Sequence, residues 1–249
     1  MRVLANAAEL IEVLAPEEPL TAAVIAQRMD IPRSNAYRLL DGLAAISLVS
    51  PLGDGRVRLS SRWLHLADAA RQGMHEWDDA SPVLDRLVER TGQTAFLSVL
   101  ADDAAFCIDW VQGPGIDILA TRPGRSLPLN AGASGRVMLA FSNRSGELLS
   151  TTHFTALTAT TLVDPDVLRA DVELTRAQGF VFSDEDAAAG ITGIAVPVFD
   201  DGHELAGTVS IAGLTPSFHG RAEELTAVLI DETSSLQGRP RGYRPGRRR

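Results

Sequence analysis

Residues Pro19–Val49 read PLTAAVIAQRMDIPRSNAYRLLDGLAAISLV, and the spacing of their apolar side chains decides the fold. Ala22, Ile25, Ala26 and Met29 recur at helical intervals behind Thr21, a residue type that caps helix N-termini. Pro32 suits the first turn of the next helix, where a missing N–H removes no intrahelical bond. From there Ala36, Leu39, Leu40, Leu43 and Ile46 form one apolar face, with Ser34, Tyr37, Arg38 and Asp41 on the opposite side. A short helix, a tight turn and a longer helix make the outline of a helix-turn-helix. The first residues of a recognition helix reach base edges and phosphates, and Arg33, Ser34, Asn35, Tyr37 and Arg38 carry the donors for that task. Taken alone, such a polar stripe is equally the wet side of a surface helix.

The flanking segments favour the DNA reading. Upstream, Val3, Ala7, Leu10, Ile11 and Leu14 are spaced as a helix that the PEEP stretch of residues 16–19 ends. Downstream, LVSPL, GDG and RVRLS (residues 48–60) read as strand, tight turn and strand, with Asp54-Gly55 supplying the hairpin signal. A hairpin after a recognition helix makes a wing. Arg56 and Arg58 alternate with Val57 and Leu59, so both arginines leave one face of the second strand, where phosphate contact is natural. Thr21, at the entry to the second helix, joins these as an expected DNA contact.

Charge and composition fit a DNA-reading module carried by an acidic partner domain. The chain has 249 residues, 45% of them hydrophobic, and a formal net charge of -9. Residues 1–74 are neutral overall, residues 75–238 carry -15, and residues 239–249 hold six arginines and no acid. That balance argues against a chain coating nucleic acid indiscriminately, but not against one docking module. No apolar run approaches the roughly 18 residues that a membrane span needs, so a soluble cytoplasmic protein is expected, with no membrane partner. Cys107 is the single cysteine, which rules out an intrachain disulfide and a thiolate metal cluster.

Residues 62–77 carry apolar positions at Trp63, Leu66, Ala67, Ala70 and Met74 and suit a connecting helix; a further helix follows, with Ser81 as cap and Pro82 at its first position. Short strands are expected at TAFLSVL (94–100), AFCIDWV (105–111) and GIDILAT (115–121), and a hairpin at GIAVPVF and ELAGTVSIAG around DDGH. Helices are expected near 133–141, 166–178 and 221–236. This order implies an α+β domain with an antiparallel sheet. The expected divisions are 1–61 for the winged helix-turn-helix, 62–78 for the linker helix, 79–238 for the α+β domain and 239–249 for a disordered Arg-rich tail.

The Pro19–Val49 stretch with GRVRLSSRWLHLAD, then GRSLPLNAGASGRVMLAF (Gly124–Phe141) and GFVFSDEDAAAGITGIAVPVFDDGHELAGTVSIAG (Gly179–Gly213), resembles the IclR-type bacterial transcriptional regulators. The three motifs occur in order and span Val3 to about Leu236. The resemblance implies a winged helix-turn-helix followed by a GAF-like effector-binding domain. It also implies sequence-specific binding of double-stranded operator DNA by a homodimer or dimer of dimers, modulated by a small organic acid, aromatic or keto in kind. Carried over by position, the effector pocket holds Leu129, Ala133, Ser134, Ser183, Ile191, Gly193, Ser210 and Ala212. Free N–H groups at the helix start near Ala133 suit a carboxylate, although a Gly/Ser helix start is equally an ordinary cap.

Departures from the family pattern carry information. Some relatives have Asp at Ser183, Cys at Gly193 and Ser at Ala212, and each change here removes a polar or bulky group, which implies a ligand larger or less polar than pyruvate or glyoxylate. Many members also have Gly at Ser47, a Tyr-x-x-Gly wing where Val57 and Ser60 stand, and Lys at Arg136. The chain begins almost at its first helix, so no minor-groove arm is assigned. No metal or cofactor is expected, because His203 and His219 lack partners at ligand spacing. Two alternatives remain: an enzyme using Asp184, Glu185, Asp186 or Cys107, and a ligand-free scaffold. SDEDAAAG reads as an acidic loop with no nearby histidine base, so an enzyme is not expected.

Overall fold

The computed structural model describes residues 2–15, 19–114 and 122–238, and the chain divides into two compact units, Met1–Met74 and His75–Arg249. The first contains α1 (Arg2–Leu14), β1 (Leu20–Thr21), α2 (Ala22–Arg28), α3 (Arg33–Ala45), β2 (Val49–Pro51), β3 (Arg56–Leu59) and α4 (Arg62–Gln72). Its core joins Leu10 and Leu14 of α1, Ile25 of α2, Leu40 and Leu43 of α3, and Val49 and Val57 of the hairpin. Thr21 caps α2, its side chain accepting from the Val24 N–H. Strand β1, which alternation alone cannot reveal in two residues, pairs antiparallel with β3 and gives the sheet order β1-β3-β2. Ile46 departs from the expected apolar face. Helix α3 ends at Ala45 and Ser47 takes φ 60°, so the chain turns toward β2 and leaves Ile46 54% exposed.

The expected helix over 62–77 is divided. The Gly73 N–H bonds the carbonyls of both Ala69 and Ala70, α4 stops at Gln72, and a short 3-10 helix, His75–Trp77, follows.

In the second unit α5 (Ala80–Thr91), β4 (Thr94–Ala101), β5 (Ala104–Val111), β6 (Ser126–Pro128), α6 (Gly132–Phe141), α7 (Ser145–Thr151) and α8 (Pro165–Gln178) are followed by β7 (Val181–Asp184), β8 (Ile191–Phe199), β9 (Leu205–Leu214) and α9 (Ala222–Thr233). The six strands form one antiparallel sheet in the order β6-β5-β4-β9-β8-β7. Helix α6 packs on it through Ala133 and Val137 against Val181 and Ala195, while α5 and α9 pack together and against β4, β5, β8 and β9. Ser81 does not cap α5. Buried Ala80 already lies in the helix, Asp79 is the cap residue, and the Ser81 hydroxyl donates to Asp109 at 2.9 Å. The expected strand at GIDILAT and the Arg-rich tail lie outside the described residues.

Candidate functional site

Two surfaces emerge, one in each unit. In the first, Arg33, Ser34, Asn35, Tyr37 and Arg38 are all exposed on the opening turns of α3, while Ala36 and Leu40 of the same helix are buried. On β3, Arg56 and Arg58 are exposed on either side of buried Val57, and the register sets Thr21 opposite Arg56. Seven of the eight residues that the sequence picks out are thus exposed on this unit, and the eighth, Thr21, is half-buried. They are not equally available. Thr21 already serves as a cap, and Arg56 pairs with Asp54 at 2.6 Å, with the Arg56 N–H and guanidinium holding the Asp54 carboxyl below its usual pKa. Among the described residues, no acidic side chain lies within salt-bridge distance of Arg33, Arg38 or Arg58.

In the second unit, strand register builds a cavity. Ser183 of β7 lies opposite Gly193 of β8, which lies opposite Ala212 of β9; two residues along, Ser210 of β9 lies opposite Phe96 of β4. Side chains two apart on a strand share a face, so these residues form one floor. Above it stands the start of α6, where Ser134 donates to the Ser210 hydroxyl at 3.0 Å. The cavity measures about 310 Å³. Ala133, Ser134, Ser183, Ile191, Gly193, Ser210 and Ala212 line it, as do Phe96, Ser98, Leu127, Gly132 and Ala187, which the sequence does not single out. Leu129 lies elsewhere: wholly buried, it packs with Ala105, Met138 and Leu139 in the core beneath α6. The motif places it too near the helix start, because Pro128 and Leu129 are followed by a further turn, with the Ala131 N–H bonding the Pro128 carbonyl, before α6 begins.

A buried charged cluster holds the cavity wall. Arg136 takes Asp171 with both Nε and Nη2, and donates from Nη1 to Asp186 at 2.9 Å. The other oxygen of Asp186 accepts the Gly132 N–H at 2.8 Å and the Ser183 hydroxyl. Burial works against the Arg136 charge, but the two carboxylates outweigh it and its pKa stands above the ordinary arginine value. Asp186 therefore fixes two lining residues at once. Its loop is tied from outside as well: Thr158 donates to the Glu185 carbonyl at 2.8 Å and Thr161 to the Asp186 carbonyl at 2.6 Å, and Asn130 holds that threonine segment through the Thr155 and Leu162 carbonyls.

Three of the four groups weighed as enzymatic chemistry are occupied or quiet. Asp184 accepts from Thr192 at 2.8 Å, Asp186 is engaged as above, and burial pushes the Cys107 thiol up to about 12. A thiol so shifted carries almost no thiolate near neutral pH. Among the described residues, no group of three or more His, Cys, Asp or Glu side chains is placed to hold a metal, and no helix is long and apolar enough to cross a membrane.

Family models match both units: the IclR helix-turn-helix domain over residues 3–52 and the bacterial transcriptional regulator IclR C-terminal domain over residues 70–237. The chain belongs to the IclR family of DNA-binding transcriptional regulators. Among its relatives, it is 30% identical over 225 residues to the HTH-type transcriptional regulator BhcR of Paracoccus denitrificans, covering 86% of this chain and 78% of that one. It is 29% identical over 212 residues to the transcriptional repressor IclR of Escherichia coli K12, covering 83% and 77%. The crystal structure of an IclR homologue from Microbacterium hydrocarbonoxydans superposes with a TM-score of 0.78 at 24% identity, over 94% of this chain and 97% of that one, and shows the shared fold. The IclR-family proteins it matches are transcriptional regulators, not enzymes.

Proposed function

We propose that this IclR-family protein is a cytoplasmic regulator whose operator binding is tuned by a small organic acid held in the α6 cavity. Arg33, Ser34, Asn35, Tyr37 and Arg38 read or grip the operator from α3, with Arg58, Arg56 and Thr21 on the flanking phosphates. The observation that carries the effector reading is the cavity itself: at about 310 Å³ it matches the lower end of small-molecule sites. Its walls combine Phe96, Leu127 and Ile191 with the hydroxyls of Ser98, Ser134, Ser183 and Ser210. The N–H groups of Ala133 and Ser134, in the first turn of α6, lack intrahelical acceptors and suit a carboxylate, while the apolar wall takes an aromatic or aliphatic body. The Microbacterium homologue was crystallised with 4-hydroxybenzoate, which supports an aromatic acid here.

Regulators of this build bind paired half-sites, and we propose a homodimer or dimer of dimers. Supporting it, Val3 and Leu4 of α1 are 70% and 76% exposed and Leu64 of α4 is 75% exposed. The deciding experiment is a gel-shift titration of the full chain on its own upstream DNA at fixed salt, with 4-hydroxybenzoate, benzoate, pyruvate and glyoxylate. Specific binding altered by an aromatic acid at lower concentration than by either small keto acid is expected. A response to glyoxylate alone overturns the ligand class, and loss of any specific binding overturns the regulator. In the same assay Arg38→Ala is expected to weaken specific binding by about 1–3 kcal/mol if Arg38 reads a base.

A further inference from the structure

The turn that joins the recognition helix to the wing is held by side chains arriving from the start of α4. Three successive carbonyls of that turn, Ile46, Ser47 and Leu48, each accept a hydrogen bond from this short segment. Arg62 Nη1 donates to the Ile46 carbonyl at 3.0 Å, the Ser60 hydroxyl to the Ser47 carbonyl, and Trp63 Nε1 to the Leu48 carbonyl at 2.8 Å. The Ser60 N–H adds a second bond to Leu48 at 3.1 Å, and the Ser60 hydroxyl in turn accepts the Arg62 N–H at 3.2 Å. Carbonyls at the end of a helix have no intrahelical partners, and a guanidinium there also complements the negative end of the helix dipole. Ser47, at φ 60°, sits in the middle of the turn in a backbone region that non-glycine residues enter only when their surroundings impose it.

From this geometry we infer that Ser60, Arg62 and Trp63 are positioning residues for DNA recognition: they lock the angle between α3 and the β2–β3 wing, and fasten α4 to both. Helix α3 ends on one side of the locked turn and β2 begins on the other, so freeing the turn lets the helix and the wing meet the duplex independently. Base readout requires both to be seated together, whereas attraction to phosphate does not. The lock therefore acts on specificity more than on general affinity. It also makes α4 part of the DNA-reading body, in keeping with the division of the chain at Met74.

The test uses the full chain with Trp63→Phe, which keeps an aromatic ring while removing the Nε1 donor and part of the indole's bulk, and the pair Arg62→Ala and Arg62→Lys. Binding to the protein's own upstream DNA and to a scrambled duplex of equal length is measured by fluorescence anisotropy across a salt series, with thermal unfolding alongside. The expected result is a fall of about tenfold in the ratio of specific to non-specific affinity for Trp63→Phe and Arg62→Ala, equivalent to about 1.4 kcal/mol. Arg62→Lys recovers part of the ratio, and the salt slope of Trp63→Phe stays at the wild-type value because no phosphate contact is lost. An unchanged ratio overturns the inference even if the unfolding midpoint falls, since that is the signature of a merely structural role. A parallel loss on both duplexes overturns it equally. Wild-type discrimination between the duplexes is the control that keeps failure of this inference separate from failure of the DNA-binding reading.

Discussion

Replacing Arg136 with Met should unseat the wall of the α6 cavity, and the size of the loss follows from what the guanidinium holds. Its side chain is 13% exposed, and those of its two partners, Asp171 and Asp186, are 10% and 4% exposed. Methionine matches much of the bulk, so the packing loss is small; the loss of charge is not. Two carboxylates would remain buried without a cation, and breaking a buried pair in this way costs about 3–5 kcal/mol. For a protein of this size each kcal/mol lowers the unfolding midpoint by roughly 2–4 °C, so the second unit is expected to melt about 6–20 °C lower. Scanning calorimetry of the full chain at pH 7 reads this directly. The reasoning also fixes the sign of the coupling. With Asp171→Asn and Asp186→Asn added to Arg136→Met, no unpaired charge remains, and the amide oxygen that replaces the Asp186 carboxylate can still accept the Gly132 N–H. The triple variant should therefore be more stable than the single one. A shift under about 2 °C for Arg136→Met, or a triple variant that simply accumulates losses, would refute the account of this cluster as an interdependent charged unit.

Other outcomes follow from single positions. Ser47→Gly should raise the unfolding midpoint of the first unit, since relief of the left-handed backbone outweighs the extra entropy of the unfolded chain by about 0.5–1 kcal/mol; an unchanged or lower midpoint by circular dichroism refutes it. Two helical glycines should respond oppositely to alanine. Gly42→Ala on open α3 should stabilise by about 0.5–1 kcal/mol. Gly135→Ala would set its Cβ 2.6 Å from the Pro128 carbonyl oxygen and should cost about 2 kcal/mol or more in denaturant titration. Cys107 should resist alkylation in the folded chain, its thiol standing at about 12 against an ordinary 9.0. Between those values the unfolded chain gives up that proton and the folded chain keeps it, so stability present below pH 9.0 declines toward pH 12. Cys107→Ala should show a shallower decline over the same interval.

Legibility in the sequence tracks the range of the interactions involved. The two helices of the DNA-reading module are visible because a 3.6-residue period and a capping Thr21 are local signals, and the wing is visible through Asp54-Gly55. Strand β1 is not, since two residues carry no period and Leu20–Thr21 is a strand only because β3 lies beside it. Spacing sets Ile46 on the core face, continuing the pattern of Leu39 and Leu43; the φ of Ser47, one residue later, decides otherwise. In the cavity, seven positions carried over by motif line the wall, while Phe96 and Leu127 escape sequence reasoning. Phe96 comes from β4, distant in sequence, and only its pairing with Ser210 brings β4 to the site, whereas Leu127 lies on β6 inside the Gly124–Phe141 motif itself. Leu129 errs in the other direction, standing within the motif in sequence yet buried with Ala105, Met138 and Leu139 rather than on the cavity lining.

The acidic loop shows why residue type alone cannot separate a regulator from an enzyme here. Asp184, Glu185 and Asp186 next to a cavity are what acid–base chemistry would need, yet both aspartates are committed to other protein groups. Asp186 neutralises Arg136 and caps the Gly132 N–H, and Asp184 receives Thr192. What faces the cavity is apolar surface, serine hydroxyls and backbone at the start of α6. Such a lining can orient a ligand but holds no poised base or nucleophile with which to transform it. Asp186 bonds Gly132 and Ser183 on one carboxylate oxygen and Arg136 on the other, and Arg136 in turn holds Asp171 on α8, so two lining residues are tied to that helix. The carboxylate that acid–base chemistry would require is thus spent on joining the cavity wall to Arg136.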